Sequence, residues 1–413
     1  MKILNAKGTK DFLPEEKILR QKIVDQLREI FELYGYSPLE TPCLERMDVL
    51  SAKYAGGAEI LKECFQLRDQ GDRRLGLKYD LTVPFCRVIA MNPQLRMPFK
   101  RYQIEKVFRD GPIKLGRMRE FWQCDVDVAG CKSMLVDAEM VAIASDFFKK
   151  VGLKVVIRIN NRKVLDAMME EAGVEEGKRD SAILTLDKLE KIGEEGVKKE
   201  FEEKGIDGEK VLDIVKQKSL KNNEGLDELN ELEDFLKLFG VSDYKIDFTL
   251  ARGLAYYTGT VFEVQCKELD SSVAGGGRYD KMIGGFLCKG EVPAVGISFG
   301  LEPIYEILKR KEKVRKSVTE VYVIPIKCFN ESLKIVKELR VAGVKCDIDL
   351  KGKSISKNLD YVNKMGIPYA LVVGENELKA AKFSLKNMET GIEDKLDVSG
   401  VVEKLKSCDC IHH

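Results

Sequence analysis

A row of chemically active side chains occupies every second position of one short segment. The row consists of Phe121, Gln123, Asp125 and Asp127. Because alternate residues of a β-strand share one face, these side chains would all point the same way. A face that carries an aromatic ring, an amide and two carboxylates is costly to bury without partners. We therefore interpret it as the floor of a pocket, in which the ring stacks on a base and the polar groups hold an amino acid.

The loop before this row is rich in cations. It carries Arg109, Lys114, Arg117 and Arg119. Arginine can hold two phosphate oxygens at once, so the loop is suited to gripping a nucleotide. A solvated turn is the alternative interpretation of the loop taken alone.

A second group of candidate residues lies further along the chain, in the segment 250–259, which reads LARGLAYYTG. Gly253 and Gly259 permit a close approach of the backbone. If Tyr256 and Tyr257 lie in a strand, they point to opposite faces, so only one of them would easily reach a given pocket. A core strand followed by a turn is the alternative interpretation.

The histidines and cysteines exclude two common kinds of chemistry. The only histidines are His412 and His413, and the 11 cysteines form no CxxC pair. The chain therefore lacks the usual spacing and the usual nitrogen ligand of a zinc site. A Ser/His or Cys/His nucleophile is excluded too, unless the C-terminal tail supplies the base. We expect no metal site, and free thiols in a reducing compartment.

The elements that would position these residues can be predicted from periodicity. Apolar residues at three- and four-residue spacing predict a helix over 19–34, and two prolines in 36–42 indicate an edge strand. Residues 99–108 and 121–128 predict an antiparallel hairpin, joined by the cationic loop. Further strand signals lie at 244–250, 261–265 and 295–300.

Length and composition indicate several domains in a soluble protein. With 413 residues the chain is too long for one ordinary core, and its net charge of +1 implies that any surface for a polyanion is local. Residues 162–242 are dense in Glu, Lys and Leu, which predicts an inserted helical domain. Residues 316–413 alternate strand and helix, which predicts a small parallel or mixed α/β domain. No signal peptide or membrane-length apolar run occurs, so we expect a cytoplasmic protein without membrane contact.

Several segments together resemble the histidyl-tRNA synthetase family. Residues 252–259 (RGLAYYTG) and 274–280 (AGGGRYD) are similar to its two histidine signatures, and residues 107–127 resemble class II motif 2. Residues 77–87 (LKYDLTVPFCR) resemble the archaeal and eukaryotic form of the segment that binds the α-amino group. The helix with the Pro42 strand is similar to motif 1, the dimer-forming element, and residues 295–304 stand where motif 3 belongs.

The resemblance implies a fold and a domain order. It implies an α/β (α+β) class II synthetase, with an antiparallel β-sheet catalytic domain flanked by helices. This domain would comprise residues 1–161 and 243–315, interrupted by the helical insertion at 162–242. A C-terminal α/β anticodon-binding domain would span residues 316–413.

The resemblance also implies roles for individual residues. The histidine-binding residues would be Asp80, Thr82, Gln123, Asp127, Tyr256, Tyr257 and Tyr279. The ATP-binding residues would be Arg109, Arg117, Phe121 and Arg252, of which Arg109 and Arg252 would be catalytic by stabilising the α-phosphate. The implied substrates are histidine, ATP with Mg²⁺ and tRNA(His), and the implied assembly is a homodimer. Since the substrate carboxylate attacks phosphorus directly, no protein nucleophile is needed.

Three positions depart from the family pattern. Pro303 stands where motif 3 usually has an arginine for the γ-phosphate, Ala255 replaces a common aspartate, and Gly111 replaces the acid expected after Arg109. Pro303 favours the main alternative, a non-catalytic relative that senses histidine or tRNA. A synthetase for another amino acid, or a generic nucleotide-binding protein, does not account for the two histidine signatures together.

Overall fold

The structure is a computed structural model. It describes residues 2–52, 58–113, 117–217, 223–251, 256–269, 271–288, 290–311 and 315–407. The chain divides into two units. One comprises Met1–Lys10 and Ile23–Arg310, and the other comprises Asp11–Lys22 and Lys311–His413.

The first helix follows from the apolar spacing of its sequence. Helix α1 (Pro14–Leu33) begins five residues before the predicted start, because proline is well tolerated in the first turn, where its missing N–H has no acceptor. It ends before Gly35, which adopts a φ of +76°. Its buried stripe includes Phe31, which packs against Phe299 with ring centroids 5.7 Å apart.

The following segment supplies the first strands of two sheets and the hairpin. Its elements are β1 (Ser37–Pro38), β2 (Leu44–Arg46), α2 (Met47–Leu50), α3 (Ala58–Glu63), β3 (Gln66–Arg68), β4 (Arg74–Leu77), α4 (Thr82–Met91), β5 (Phe99–Phe108), β6 (Glu120–Ala129), α5 (Met134–Lys150) and β7 (Val155–Asn161). The predicted hairpin is confirmed, since β5 and β6 pair antiparallel along their whole length. The strand at the two prolines is confirmed as an edge strand, because β5 is its one neighbour among the described strands.

After β7 the described residues form a run of helices, as the composition of this segment predicts. They are α6 (Arg162–Glu171), α7 (Glu176–Leu186), α8 (Leu189–Glu203), α9 (Gly208–Gln217) and α10 (Glu224–Leu238). The Asn161 side chain accepts a hydrogen bond from the backbone N–H of Lys163 and so begins the first of them. Helix α10 is capped in the same way by Asn223 and buries Leu229, Leu232 and Leu236.

The chain then returns to the large sheet. The elements are β8 (Tyr244–Ile246), β9 (Thr260–Cys266), β10 (Ala274–Arg278), α11 (Asp280–Leu287), β11 (Ala294–Gly300) and α12 (Leu301–Lys311). The strand expected over 244–250 ends early, because the carboxylate of Asp247 accepts hydrogen bonds from the backbone N–H and the hydroxyl of Thr249 and turns the chain.

Eight strands form the large sheet in the order β1-β5-β6-β11-β10-β9-β7-β8. The pairs β1–β5 and β7–β8 are parallel and the remaining pairs are antiparallel. One face packs on helices, as Phe299 of β11 shows by contacting Phe147 and Phe148 of α5. The expected antiparallel sheet with flanking helices is therefore confirmed. A small antiparallel sheet, β2-β4-β3, was not expected from the sequence.

The second unit contains a mixed sheet. Its elements after residue 320 are β12 (Val321–Pro325), α13 (Phe329–Val341), β13 (Cys346–Ile348), α14 (Ile355–Lys364), β14 (Tyr369–Val373), α15 (Glu375–Ala380), β15 (Phe383–Asn387), β16 (Glu393–Leu396) and α16 (Val398–Ser407). The strand order is β13-β12-β14-β15-β16, with the first two pairs parallel and the last two antiparallel. None of the described helices combines the length and apolar character needed to cross a membrane.

Candidate active site

A cavity of about 260 Å³ opens on the face of the large sheet away from Phe299. Nine of the predicted site residues line it, and they come from five separate segments of the chain. They are Asp80, Thr82, Arg109, Phe121, Gln123, Asp127, Tyr256, Tyr257 and Tyr279. The fold therefore brings together most of the residues that the sequence singled out.

Strand β6 forms the floor of this cavity. Phe121, Gln123, Asp125 and Asp127 all line it, as the alternating pattern predicts. The neighbouring strand β11 completes the floor, because Ser298 pairs in register with Asp125 and Gly296 pairs with Asp127. The Gln123 amide donates a hydrogen bond of 2.9 Å to the Ser298 hydroxyl.

Asp127 lies at the deep end of the floor and is held on two sides. The Tyr279 hydroxyl donates a hydrogen bond to its Oδ1. The guanidinium of Arg101 lies 2.9 Å from its Oδ2, and both partners are buried. Burial raises the pKa of Asp127, while Arg101 and the Tyr279 hydrogen bond act against that rise. An oriented carboxylate of this kind can accept a hydrogen bond from the N–H of a small ring.

Asp125 lies on the same floor, between Gln123 and Asp127. Burial raises its pKa to about 7, and the negative charge of Asp127 contributes to the rise, whereas Arg101 and a hydrogen bond from Ser298 oppose it. The sequence placed Asp125 on the pocket face without giving it a role.

Asp80 stands where helix α4 begins. Its Oδ1 accepts a hydrogen bond of 2.9 Å from the backbone N–H of Val83, so the side chain caps the first turn. Thr82 is the first residue of the helix and also lines the cavity. Burial raises the pKa of Asp80, opposed by the Val83 N–H and by Arg109. An acid and a hydroxyl at this position suit an ammonium group.

Arg109 stands at the opposite end of the floor from Asp127. Its Nε donates to the Tyr79 carbonyl at 3.2 Å, and its guanidinium lies 4.2 Å from the Tyr79 ring centroid and 5.1 Å from that of Phe121. It is the one cation among the described residues that line the cavity. A phosphate bound next to a base stacked on Phe121 would meet this guanidinium.

Arg117 lies outside the lining of the cavity. Its Nη2 lies 3.3 Å from the Glu63 carboxylate, and half of its side chain is exposed. Glu63 also fills the space beside Gly111, since a Cβ on Gly111 would stand 3.0 Å from Glu63 Oε1. The acid that the sequence lacks at 111 is thus present nearby, on α3. Arg252, Ala255 and Lys114 lie outside the described residues.

Pro303 occupies the first turn of α12, where its ring packs against Gly300 of the cavity wall. A Cβ on Gly300 would lie 2.8 Å from Pro303 Cγ. Glu302 is buried beside it and accepts a hydrogen bond from the backbone N–H of Trp122. The helix therefore presents an apolar ring where the family pattern has a cation.

The expectation that only one of the two adjacent tyrosines reaches the pocket was wrong. Tyr256 and Tyr257 both line the cavity, with ring centroids 4.7 Å apart. They lie in a turn before β9 rather than in a strand, so the alternation of a strand does not apply to them.

Sequence reasoning missed Arg101, Tyr79, Trp122 and Ser298. Tyr79, Trp122 and Ser298 line the cavity, whereas Arg101 supports Asp127 from below. Arg101 could have been found by counting along the predicted hairpin, because it is the register partner of Asp127. No signal of equal strength pointed to Ser298, whose place depends on the pairing of distant strands.

Comparison with known proteins agrees with this geometry. The family described as "Histidyl-tRNA synthetase" matches residues 8–304, and the "Anticodon binding domain" matches residues 320–407. A Bacillus cereus protein named "Histidine--tRNA ligase 1" is 45% identical over 424 aligned residues, which cover 97% of this chain and 99% of that protein. The chain belongs to the histidyl-tRNA synthetase family.

Other members of the histidyl-tRNA synthetase family give the same result. A "Histidine--tRNA ligase" from Clostridium tetani is 37% identical over 97% of both chains. The crystal structure of histidyl-tRNA synthetase from Nostoc sp. PCC 7120 matches with a TM-score of 0.87 at 33% identity, over 98% of this chain and 99% of that one. These relatives are bacterial, so they do not support the archaeal and eukaryotic form suggested by residues 77–87.

A solved structure of lower sequence identity shares the fold as well. A Bacillus halodurans structure, described as "an ATP phosphoribosyltransferase regulatory subunit/histidyl-tRNA synthetase", matches with a TM-score of 0.75 at 23% identity. The match covers 90% of this chain and 97% of that one, and it shows the fold alone.

Proposed function

We propose that this protein is a histidine–tRNA ligase. It activates histidine with ATP to histidyl-adenylate and then transfers histidine to the 3′ end of tRNA(His). The observation that carries the proposal is the order of groups along the cavity floor. A nucleotide-binding end, with Arg109 and Phe121, and an acid end, with Asp127 and Tyr279, share one continuous cavity floor.

The first step requires that histidine and ATP meet in line. The histidine ammonium is bound by Asp80, Thr82 and Gln123. The imidazole is held by Asp127 and Tyr279, and its pocket is closed by Tyr256 and Tyr257. Phe121 stacks on adenine and Arg109 binds the α-phosphate. The substrate carboxylate attacks the α-phosphorus and pyrophosphate leaves, so catalysis depends on positioning and charge stabilisation. Arg252 is proposed to share the α-phosphate with Arg109.

The triphosphate is bound together with Mg²⁺ as part of the substrate. We propose that Arg117 leaves Glu63 when ATP binds and reaches the γ-phosphate, where Pro303 offers no charge. The exchange is feasible because half of the Arg117 side chain and 26% of the Glu63 side chain are exposed, and solvent-accessible pairs contribute little to stability.

The remaining segments are assigned to tRNA and to assembly. Residues 1–161 and 243–315 form the catalytic domain, residues 162–242 contact the acceptor stem and residues 316–413 bind the anticodon. The α1 and β1 region forms a homodimer contact, and the protein acts in the cytoplasm.

Histidine-dependent ATP–pyrophosphate exchange tests the function. Purified protein without tRNA should exchange label with histidine and not with the other amino acids. Charging of tRNA(His) transcript then tests the second step. Pro303 favours one competing function, a histidine sensor without catalysis. Histidine binding by calorimetry without any exchange would establish that sensor and overturn the ligase proposal.

A further inference from the structure

Arg101 is the register partner of Asp127 in the β5–β6 hairpin, and its guanidinium lies directly against that carboxylate. Its side chain is fully buried. It is not among the described residues that line the cavity, so it acts through other groups rather than on a ligand.

The same guanidinium reaches a second wall of the cavity. Arg101 Nη2 donates a hydrogen bond of 3.1 Å to the carbonyl of Leu81, the residue between Asp80 and Thr82. The plane of the guanidinium lies over the Phe85 ring of α4, 4.6 Å from its centroid. One side chain therefore connects the strand that carries Asp127 with the helix start that carries Asp80.

A purely structural role explains this residue poorly. Burying a guanidinium is costly unless it is fully bonded, and an apolar pair would stabilise the hairpin at least as well. Within the part of the chain that the structure describes, Nε and Nη1 of Arg101 have no hydrogen-bond partner. Its charge lowers the pKa of Asp80, Asp125 and Asp127 alike, against the effect of burial.

We propose that Arg101 is a positioning residue for histidine recognition. It fixes the Asp127 carboxylate and the Leu81 carbonyl in one frame, so that the imidazole site and the ammonium site keep the separation that one histidine molecule requires. This inference rests on the proposed function, because it assigns Asp127 to the imidazole and Asp80 to the ammonium group of one bound histidine.

The test uses Arg101→Met in an Asp125→Asn background. Arg101→Met alone leaves two buried carboxylates without a counter-charge and is expected to fold poorly. Removing the charge of Asp125 leaves Asp127 as the one floor carboxylate without its counter-charge, so the double variant should fold better than Arg101→Met alone. Its reference is Asp125→Asn alone. Arg158→Met is the matched control, because Arg158 is a buried arginine of β7 that pairs with Asp247 and does not line the cavity.

We expect the double variant to fold with a lower melting temperature than the Asp125→Asn reference, because the buried Asp127 carboxylate has lost its counter-charge. Its KM for histidine in pyrophosphate exchange should rise roughly 100-fold, because a small misplacement of binding groups is enough for such a loss. Its KM for ATP should stay within about twofold, because Arg109 and Phe121 keep their own contacts. Arg101→Lys should raise the histidine KM by about tenfold, since one ammonium does not reproduce the planar fork.

Three results would overturn the proposal. They are a histidine KM equal to that of the reference, equal rises in the KM for histidine and ATP, and a rise of the same size in Arg158→Met. If the double variant does not fold, an unchanged histidine KM in Arg101→Lys overturns it. Calorimetric titration of histidine into the same variants separates this proposal from the ligase proposal. If the wild-type protein binds histidine but shows no pyrophosphate exchange, the ligase proposal fails. The histidine affinities of the variants still test the role of Arg101.

Discussion

Gly296 lies directly against the carboxylate of Asp127, because the two residues face each other in β11 and β6 and a Cβ on Gly296 would overlap Oδ1. The missing side chain is what leaves room for the acid to point into the cavity. Together with Arg101 from the other neighbouring strand, it fixes Asp127 from both sides.

Gly296→Ala is therefore expected to displace the Asp127 carboxylate. The KM for histidine in pyrophosphate exchange should rise about 10- to 100-fold, with a much smaller effect on the KM for ATP. Gly177→Ala is the control, because no atom lies within 4 Å of its Cβ position. An unchanged histidine KM in Gly296→Ala would show that the carboxylate has another way to reach the ligand.

Tyr279→Phe removes the hydroxyl that donates to Asp127 and leaves the ring in place. A hydrogen bond to a charged group contributes about 1.5–3 kcal/mol, so histidine affinity should fall roughly 10- to 100-fold. Calorimetry measures the loss directly. Tyr244→Phe serves as the control, since its hydroxyl meets Glu233 in the insertion, and it should bind histidine like the wild type.

Pro303→Arg restores the cation of the family pattern at the Gly300 wall. The KM for ATP should fall about tenfold in pyrophosphate exchange, because a charge-assisted contact to phosphate is gained. Pro303→Ala should leave the KM for ATP unchanged. If Pro303→Arg and Pro303→Ala have the same KM for ATP, the triphosphate of bound ATP does not lie beside residue 303.

The raised pKa of Asp125 predicts a pH-dependent stability. Between about pH 4 and pH 7 the folded chain keeps a proton that the unfolded chain has released, because the pKa rises from 3.8 to about 7. The contribution of Asp125 to the free energy of unfolding is thus fully present below about pH 4 and is lost as the pH rises through about 7. Asp125→Asn removes that loss.

Urea unfolding at pH 5 and pH 8 measures the effect. The stability of Asp125→Asn relative to wild type should increase between the two pH values by at most about 3 kcal/mol, because about two pH units separate pH 5 from the raised pKa. The fluorescence of Trp122, the only tryptophan, reports on the floor strand itself. Asp69→Asn should show no such change, since Asp69 is paired with Arg73 and its pKa is lowered. Parallel pH dependence of Asp125→Asn and wild type would contradict the assignment.

Local patterns predicted the parts of the site that lie on regular elements. The alternation of Phe121, Gln123, Asp125 and Asp127 survives in the fold because a strand allows no other arrangement once one face is buried. Tyr256 and Tyr257 could not be placed in this way, since they lie in a turn whose geometry depends on the strands around it. Ser298 was equally hidden, because its position beside Asp125 depends on pairing between strands about 170 residues apart in the chain.

The resemblance supplied what periodicity could not. It predicted that Asp80 and Tyr279 share one site with the residues of the cavity floor, although the two are separated by about 200 residues in the sequence. It did not foresee that Glu63 would stand beside Gly111, or that Arg117 would turn toward it. Both depend on packing between α3 and the cationic loop, which a motif does not describe.

The two faces of β6 serve different layers of the protein. Its cavity face carries the recognition row, while Cys124, Val126 and Val128 are buried on the other face. Inserting or deleting one residue in this strand would move each side chain to the opposite face. The carboxylates would then lie in the hydrophobic core, and the aliphatic side chains would line the cavity. Alternate positions of this strand therefore answer to two different requirements, ligand contact on one face and packing on the other. A change in the length of the strand would violate both requirements at once, even where single substitutions are tolerated.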